Sequence, residues 1–342
     1  MNYLHYRKQS NIKEDSFALQ EIIRKGRVYT HKLDKETYET YETRDSTSTE
    51  IIEMKKQELL DYLDNWENLK VKVVYYYKNS GGLGDYLKYF CSLLNLCIKK
   101  NYKLYFYKDD DKDEELIKKY VYLNYEFMII DRETVEKNKT RQIYKWKKLK
   151  TLRRKKLMNL VTPLPFYGAP YKSLCYERVS TMFSISDTVK NHEIVKHYSN
   201  FDYISLHIRL GDKHMEHPPI VNSPDDRHYK ENLVIEFLER NKDKNILLFC
   251  DNAKYKQELQ QKYKNVSITS AKVVHYNEKG TTEEEVLHTV IEFYLLSKSK
   301  KIYTSANSGF SGMASFYGNV PYILIDDTLK HKDYLDSSMC VV

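Results

Sequence analysis

The sequence predicts an α/β protein built on mostly parallel sheets, and three observations lead there. Residues 71–77 are β-branched and aromatic, a turn Asn79-Ser80-Gly81-Gly82 follows, and 83–99 resumes a helical rhythm. Strand, glycine turn, helix is the opening of a βαβ unit. From Tyr203 to Ile325 strands and helices alternate, which goes with a parallel sheet carrying helices on both faces. The chain has 342 residues, enough for two domains that each bury a core.

Taken in order, residues 1–68 are polar and charged, with Ile51, Ile52, Met54, Leu59, Leu60, Leu63 and Trp66 at helical spacing. A helical N-terminal extension is expected there. Residues 69–185 form the first α/β domain, with strands at 71–77, 103–107 and 127–130 and a helix over 83–99. Residues 186–342 form the second. Its strands are expected at 203–208, 245–249, 266–269, 301–304 and 321–325, with helices at 232–240, 252–262 and 283–297 and another starting at Gly309. No fixed-period repeat suggests a solenoid.

Composition narrows the class. The chain is 41% hydrophobic and 30% charged, too apolar for disorder and too polar for a membrane protein. Met1 to Gln20 has no leader-like apolar core, and no stretch approaches the ~20 apolar residues of a membrane span, so a soluble, cytoplasmic protein is expected. Cys91, Cys97, Cys175, Cys250 and Cys340 lack zinc-type spacing and are expected as buried thiols. The 32 tyrosines rise together with lysine, as a coding bias would make them. The net charge of +8 is concentrated in the run Lys137 to Lys156, which includes Trp146. A solvated helix face is the reading favoured for it; peripheral contact with an anionic membrane is the alternative, and nucleic acid is not an expected partner because no nucleic-acid motif accompanies the run.

In open α/β sheets ligands bind beyond the carboxyl ends of strands, so the residues that follow each strand are informative. Arg209 follows the 203–208 strand. A guanidinium stays charged and grips two phosphate oxygens at once, which suits a departing diphosphate without a metal; a local ion pair with Asp212 is the other reading. Asn307-Ser308-Gly309 before a helix start offers backbone N–H groups and a hydroxyl to phosphate, or a helix cap. Gly81, Gly82 and Gly84 bring backbone close to a pyrophosphate, or make a tight turn.

Together these segments resemble a known family. His207-Ile208-Arg209-Leu210-Gly211-Asp212 resembles the HxRxGD motif of the α1,2-, α1,6- and protein O-fucosyltransferase superfamily. Phe249 to Asn252 is similar to that family's strand-end acidic pair, Ile291 to Ser311 to its closing helix-strand-loop motif, and Gly81 to Asp85 to the glycine loop of the α1,2 branch. The resemblance spans roughly residues 71 to 325. It implies a GT-B architecture of two Rossmann-like domains facing across a cleft, an acceptor-side domain followed by one that binds a GDP-sugar, and no metal or other cofactor. It implies transfer of L-fucose from GDP-fucose, with inversion, to a hydroxyl of a glycan or glycoconjugate. Another GDP-sugar, or a non-catalytic nucleotide-sugar or glycan-binding protein, is the alternative.

Carried over by position, Arg209 would contact the β-phosphate, and His207 and Glu292 would lie near guanine. Asp251 would lie near the nucleotide or the acceptor. Asn307, Ser308, Gly309 and Phe310 would line the donor site. Three departures stand out: Glu292 replaces an Asp, Asn252 replaces a second Asp, and Gly312 and Met313 stand where many α1,2 members have an aromatic pair. For the base that takes the acceptor proton, Glu216 lies within about one residue of the α1,6 branch's base, and Asp212 is the rival.

Overall fold

A computed structural model describes residues 46–76, 82–107, 112–143, 145–152, 157–161, 176–211, 230–269, 281–306 and 308–325. Helix α1 (Ser46–Asp64) brings Leu59, Tyr62 and Leu63 into the core, and Trp66 follows in a single 3-10 turn. Strand β1 (Val71–Tyr75) and strand β2 (Tyr102–Tyr107) flank helix α2 (Leu83–Lys100). The Tyr62 hydroxyl donates to the Tyr102 carbonyl at 2.8 Å and Trp66 Nε1 to the Leu104 carbonyl at 3.0 Å, which pins α1 and the turn after it to β2.

Helix α3 (Lys112–Tyr120) leads through β3 (Val121–Leu123) to β4 (Ile129–Ile130). Helix α4 (Arg132–Lys137), β5 (Thr140–Ile143), α5 (Trp146–Leu149) and β6 (Met158–Val161) follow. The first sheet runs β4-β2-β1-β6-β5, every pair parallel. Beyond it lie α6 (Tyr176–Met182), β7 (Phe183–Ile185), α7 (Asp187–Lys190) and α8 (Glu193–Ser199). Strand β7 pairs antiparallel with β3.

The second sheet is built from β8 (Ile204–Ile208), β9 (Ile246–Cys250), β10 (Val266–Ile268), β11 (Ile302–Thr304) and β12 (Tyr322–Leu324). Its order is β10-β9-β8-β11-β12, again wholly parallel. Helices α9 (Glu231–Arg240), α10 (Ala253–Lys262), α11 (Glu283–Lys298) and α12 (Gly309–Gly318) connect these strands. The α/β class with parallel sheets is therefore as expected, and the strand order reverses between β8 and β11, the switch point at which such sheets bind ligands.

Two helices of the second half pack on the first. Helix α12 lies against α2 and α6, and α11 against α3; α11 also meets α7 within the second half. One apolar cluster consequently runs through both halves, from Tyr75, Phe90, Phe106 and Phe183 to Phe293, Met313 and Phe316. A smaller one, with Leu206, Ile208, Phe237, Leu248 and Tyr303, belongs to the second sheet alone.

The expected helix face over Lys137 to Lys156 is corrected. Lys137 ends α4, the chain then enters edge strand β5, and only Trp146–Leu149 is helical again; Lys145, Lys148 and Lys150 are exposed, while 144 and 153–156 lie outside the described residues. Strands β5 and β6 escape sequence inspection because β6 carries a buried asparagine. Asn159 accepts from Arg141 Nη2 at 2.9 Å and donates to the Lys72 carbonyl at 2.8 Å, so a polar residue satisfied inside the sheet interrupts the apolar pattern. Cys91, Cys97 and Cys250 are buried free thiols; Cys175 and Cys340 lie outside the described residues. Among the described residues no helix is long and apolar enough to cross a membrane.

Candidate functional site

The end of β8 carries a buried, paired charge. Arg209 follows Ile208 and donates from Nη1 to Asp251 Oδ2 at 2.6 Å, with side chains only 12% and 4% exposed. Asp251 follows β9, the neighbouring strand, so parallel pairing brings the two residues side by side. The same carboxylate accepts from the Leu210 amide at 2.9 Å and the Gly211 amide at 3.2 Å. Gly211 sits at φ 105°, a conformation open to glycine. Asp251 thus holds both the guanidinium and the turn behind it. The Arg209 amide donates to Ser305 Oγ at 3.2 Å, crossing the switch point from β8 to the end of β11. Burial, with the Asp251 charge beside it, pushes the Cys250 thiol far up, so that sulfur stays protonated.

His207, buried in β8, bonds through Nδ1 to Ser311 Oγ at 2.8 Å. Ser311 lies 3.3 Å from the Tyr322 hydroxyl, and that hydroxyl accepts from the Ser308 amide at 3.2 Å. A chain from β8 through β12 therefore positions the first turn of α12, and the His207 ring lies 6.1 Å from that of Phe310. Ser308 is the N-cap of α12, yet its side chain makes no capping bond. Its amide, one of the N–H groups assigned to phosphate from the sequence, is donated to Tyr322 instead.

The glycine loop meets this turn. Gly82 is the N-cap of α2 without a side-chain cap, and a Cβ on Gly84 would fall well within 3.0 Å of Gly309 backbone atoms. The N-termini of α2 and α12 converge there. Lys88 pairs with Asp85 at 2.7 Å beside Gly309. The convergence of two positive helix ends and an ammonium, offset by one carboxylate, favours an anion nearby.

Glu292 of α11 is 5% exposed. Its Oε1 accepts from the Thr269 hydroxyl and from Lys256 Nζ, the latter at 3.4 Å. Asn252 caps α10 by accepting from the Tyr255 amide at 2.8 Å, which starts the helix that carries Lys256. His207, Arg209, Asp251, Ser308, Gly309 and Phe310 are thus gathered at the carboxyl edge of the second sheet, with Gly84 against Gly309, Gly82 two residues earlier at the N-cap of α2, and Glu292 on the flanking helix. Gly81, Asp212, Glu216 and Asn307 lie outside the described residues. Sequence reasoning passed over Lys256, Thr269, Ser305, Ser311 and Tyr322. For Thr269 and Ser305 the place just after a strand was a usable signal; Lys256 carried none. Among the described residues no group of His, Cys, Asp or Glu is arranged to hold a metal.

No family model and no curated protein matches the sequence. Solved structures are similar in fold. The fucosyltransferase NodZ from Bradyrhizobium is similar with a TM-score of 0.51 and 13% identity, over 76% of this chain and 97% of that one. The likeness is one of fold. An Arabidopsis thaliana FUT1 mutant in complex with GDP follows at TM-score 0.46 and 12% identity, over 80% of this chain and 77% of that one. POFUT1 in complex with GDP aligns at 0.43 and 9%, over 75% of this chain and 98% of that one.

Proposed function

We propose that this chain is a metal-independent fucosyltransferase of GT-B architecture that takes L-fucose from GDP-fucose. In this reading residues 69–185 form the acceptor-side domain, 186–342 the donor domain, and the carboxyl edge of the second sheet faces the cleft between them. The observation that carries it is the Arg209–Asp251 clamp across the ends of β8 and β9, beside the β8/β11 switch point, on a fold shared with NodZ. A guanidinium already fixed in place meets charge that develops on a leaving diphosphate without reorganising, which is what lowers a barrier.

The acceptor oxygen attacks the anomeric carbon as the bond to the GDP β-phosphate oxygen breaks, and configuration inverts. Arg209 and the convergent ends of α2 and α12 take up the negative charge left on GDP. The acceptor proton passes to Glu216, or to Asp212 if that residue is the base. Calorimetry with GDP in EDTA tests the donor assignment: GDP binds and UDP binds much more weakly. Arg209→Lys then lowers fucosyl transfer at least ~100-fold with the fold intact. GDP binding abolished by EDTA, or a fully active lysine variant, refutes this reading.

A further inference from the structure

Lys256 and Glu292 form a second buried ion pair in the second half of the chain. Lys256 sits on the first turn of α10, directly after the β9 end that bears Asp251. Thr269 ends β10, and Glu292 comes in from α11. Three separate elements of the donor-binding edge therefore converge on one carboxylate, with side chains 3% and 6% exposed in the ion pair. An ion pair this buried adds little stability over a well-packed apolar pair, because desolvation offsets the attraction. The arrangement makes sense through what it leaves over. Oε1 is occupied twice, by Thr269 and Lys256, while Oε2 has no hydrogen-bond partner among the described residues.

We propose that Lys256 is a positioning residue for nucleobase selection, holding the Glu292 side chain turned so that Oε2 accepts from the ring N–H of a 6-oxopurine. This rests on the GDP-sugar reading above. Guanine carries that donor at N1, whereas adenine, a purine of the same size, presents a bare acceptor nitrogen there. The selectivity between GDP and ADP therefore reports on Glu292, and on Lys256 only if Lys256 acts through it.

The test is calorimetry of GDP, with ADP measured by competition, on the wild type, Lys256→Met, Glu292→Gln and the double variant. Lys256→Met is expected to lower the GDP-to-ADP affinity ratio at least ~10-fold, the scale of a hydrogen bond to a charged group. The double variant, which buries no unpaired charge and so keeps the test open if Lys256→Met fails to fold, is expected to match Glu292→Gln alone. GDP and ADP weakened in equal proportion, or a double variant far less selective than Glu292→Gln, overturns the role of Lys256 while leaving the GDP reading in place. Failure of the wild type to bind GDP at all overturns both.

Discussion

Replacing Gly84 with alanine separates two uses of a glycine at this position. The added methyl would fall 2.2 Å from the carbonyl carbon of Gly309 and 2.3 Å from its oxygen, where ordinary contact begins at 3.4 Å. The obstacle is helix backbone, so α2 and α12 must part by roughly an ångström. Overpacking of this kind costs ~1–3 kcal/mol, partly offset by the better helix propensity of alanine, for a net loss of about 1–2 kcal/mol. The melting temperature should fall by about 2–8 °C. Because the first turn of α12 holds His207 through Ser311, GDP affinity should fall with it. Gly309→Ala is the control: its Cβ meets Asp85 Oδ1 at 3.3 Å and Lys88 Nζ at 3.6 Å, the ends of flexible side chains, and the Asp85 amide nitrogen at 3.8 Å, an ordinary contact. That variant should melt with the wild type or above it. Thermal melts by circular dichroism, paired with GDP titrations, check both. A Gly84→Ala protein that melts like the wild type but loses GDP would refute the packing argument and show that the glycine serves a close approach of ligand.

Asp251→Asn leaves one or two of these three N–H donors without an acceptor, depending on which way the amide turns, and breaks a buried pair. Stability should fall by about 3 kcal/mol with GDP affinity falling alongside, as read by denaturant unfolding and calorimetry; lost affinity at unchanged stability would make Asp251 a ligand contact. For Glu216→Gln, transfer should collapse while GDP-fucose binding stays near wild type, and a normal turnover number would remove Glu216 as the base. Glu283 at the start of α11 bonds Lys119 and Tyr120 of α3, and those bonds hold its carboxyl below the usual range. A depressed acid contributes stability that is present above its unfolded pKa and lost as pH falls through its folded one. The stability gap between wild type and Glu283→Gln should therefore be open at neutral pH and close in acid, and a gap independent of pH in urea titrations would contradict the pairing.

Local pattern carried much of the fold. The β-branched run at Val71–Tyr75, the glycines before α2 and the alternation after Tyr203 each report on neighbours within a few residues, and the strands and helices stand close to where those signals lie. The same logic places Arg209, Asp251 and Ser305 at strand ends, since a parallel sheet puts its loops on a common edge. Partnership was another matter. No spacing in the sequence announces that Asp251, just after the neighbouring strand, accepts from Arg209. The bareness of Gly84 is explained by Gly309, and the charge of Lys256 by Glu292. Strand β6, with its buried Asn159, reads as polar until Arg141 and the Lys72 carbonyl stand beside it. Spacing and residue type determine which elements form, because helix and strand are satisfied by hydrogen bonds and apolar faces near in sequence. Which buried charge or amide meets which partner depends on sheet order and helix packing, and those are set by contacts between residues tens to hundreds of positions apart, visible only once the tertiary structure brings them together.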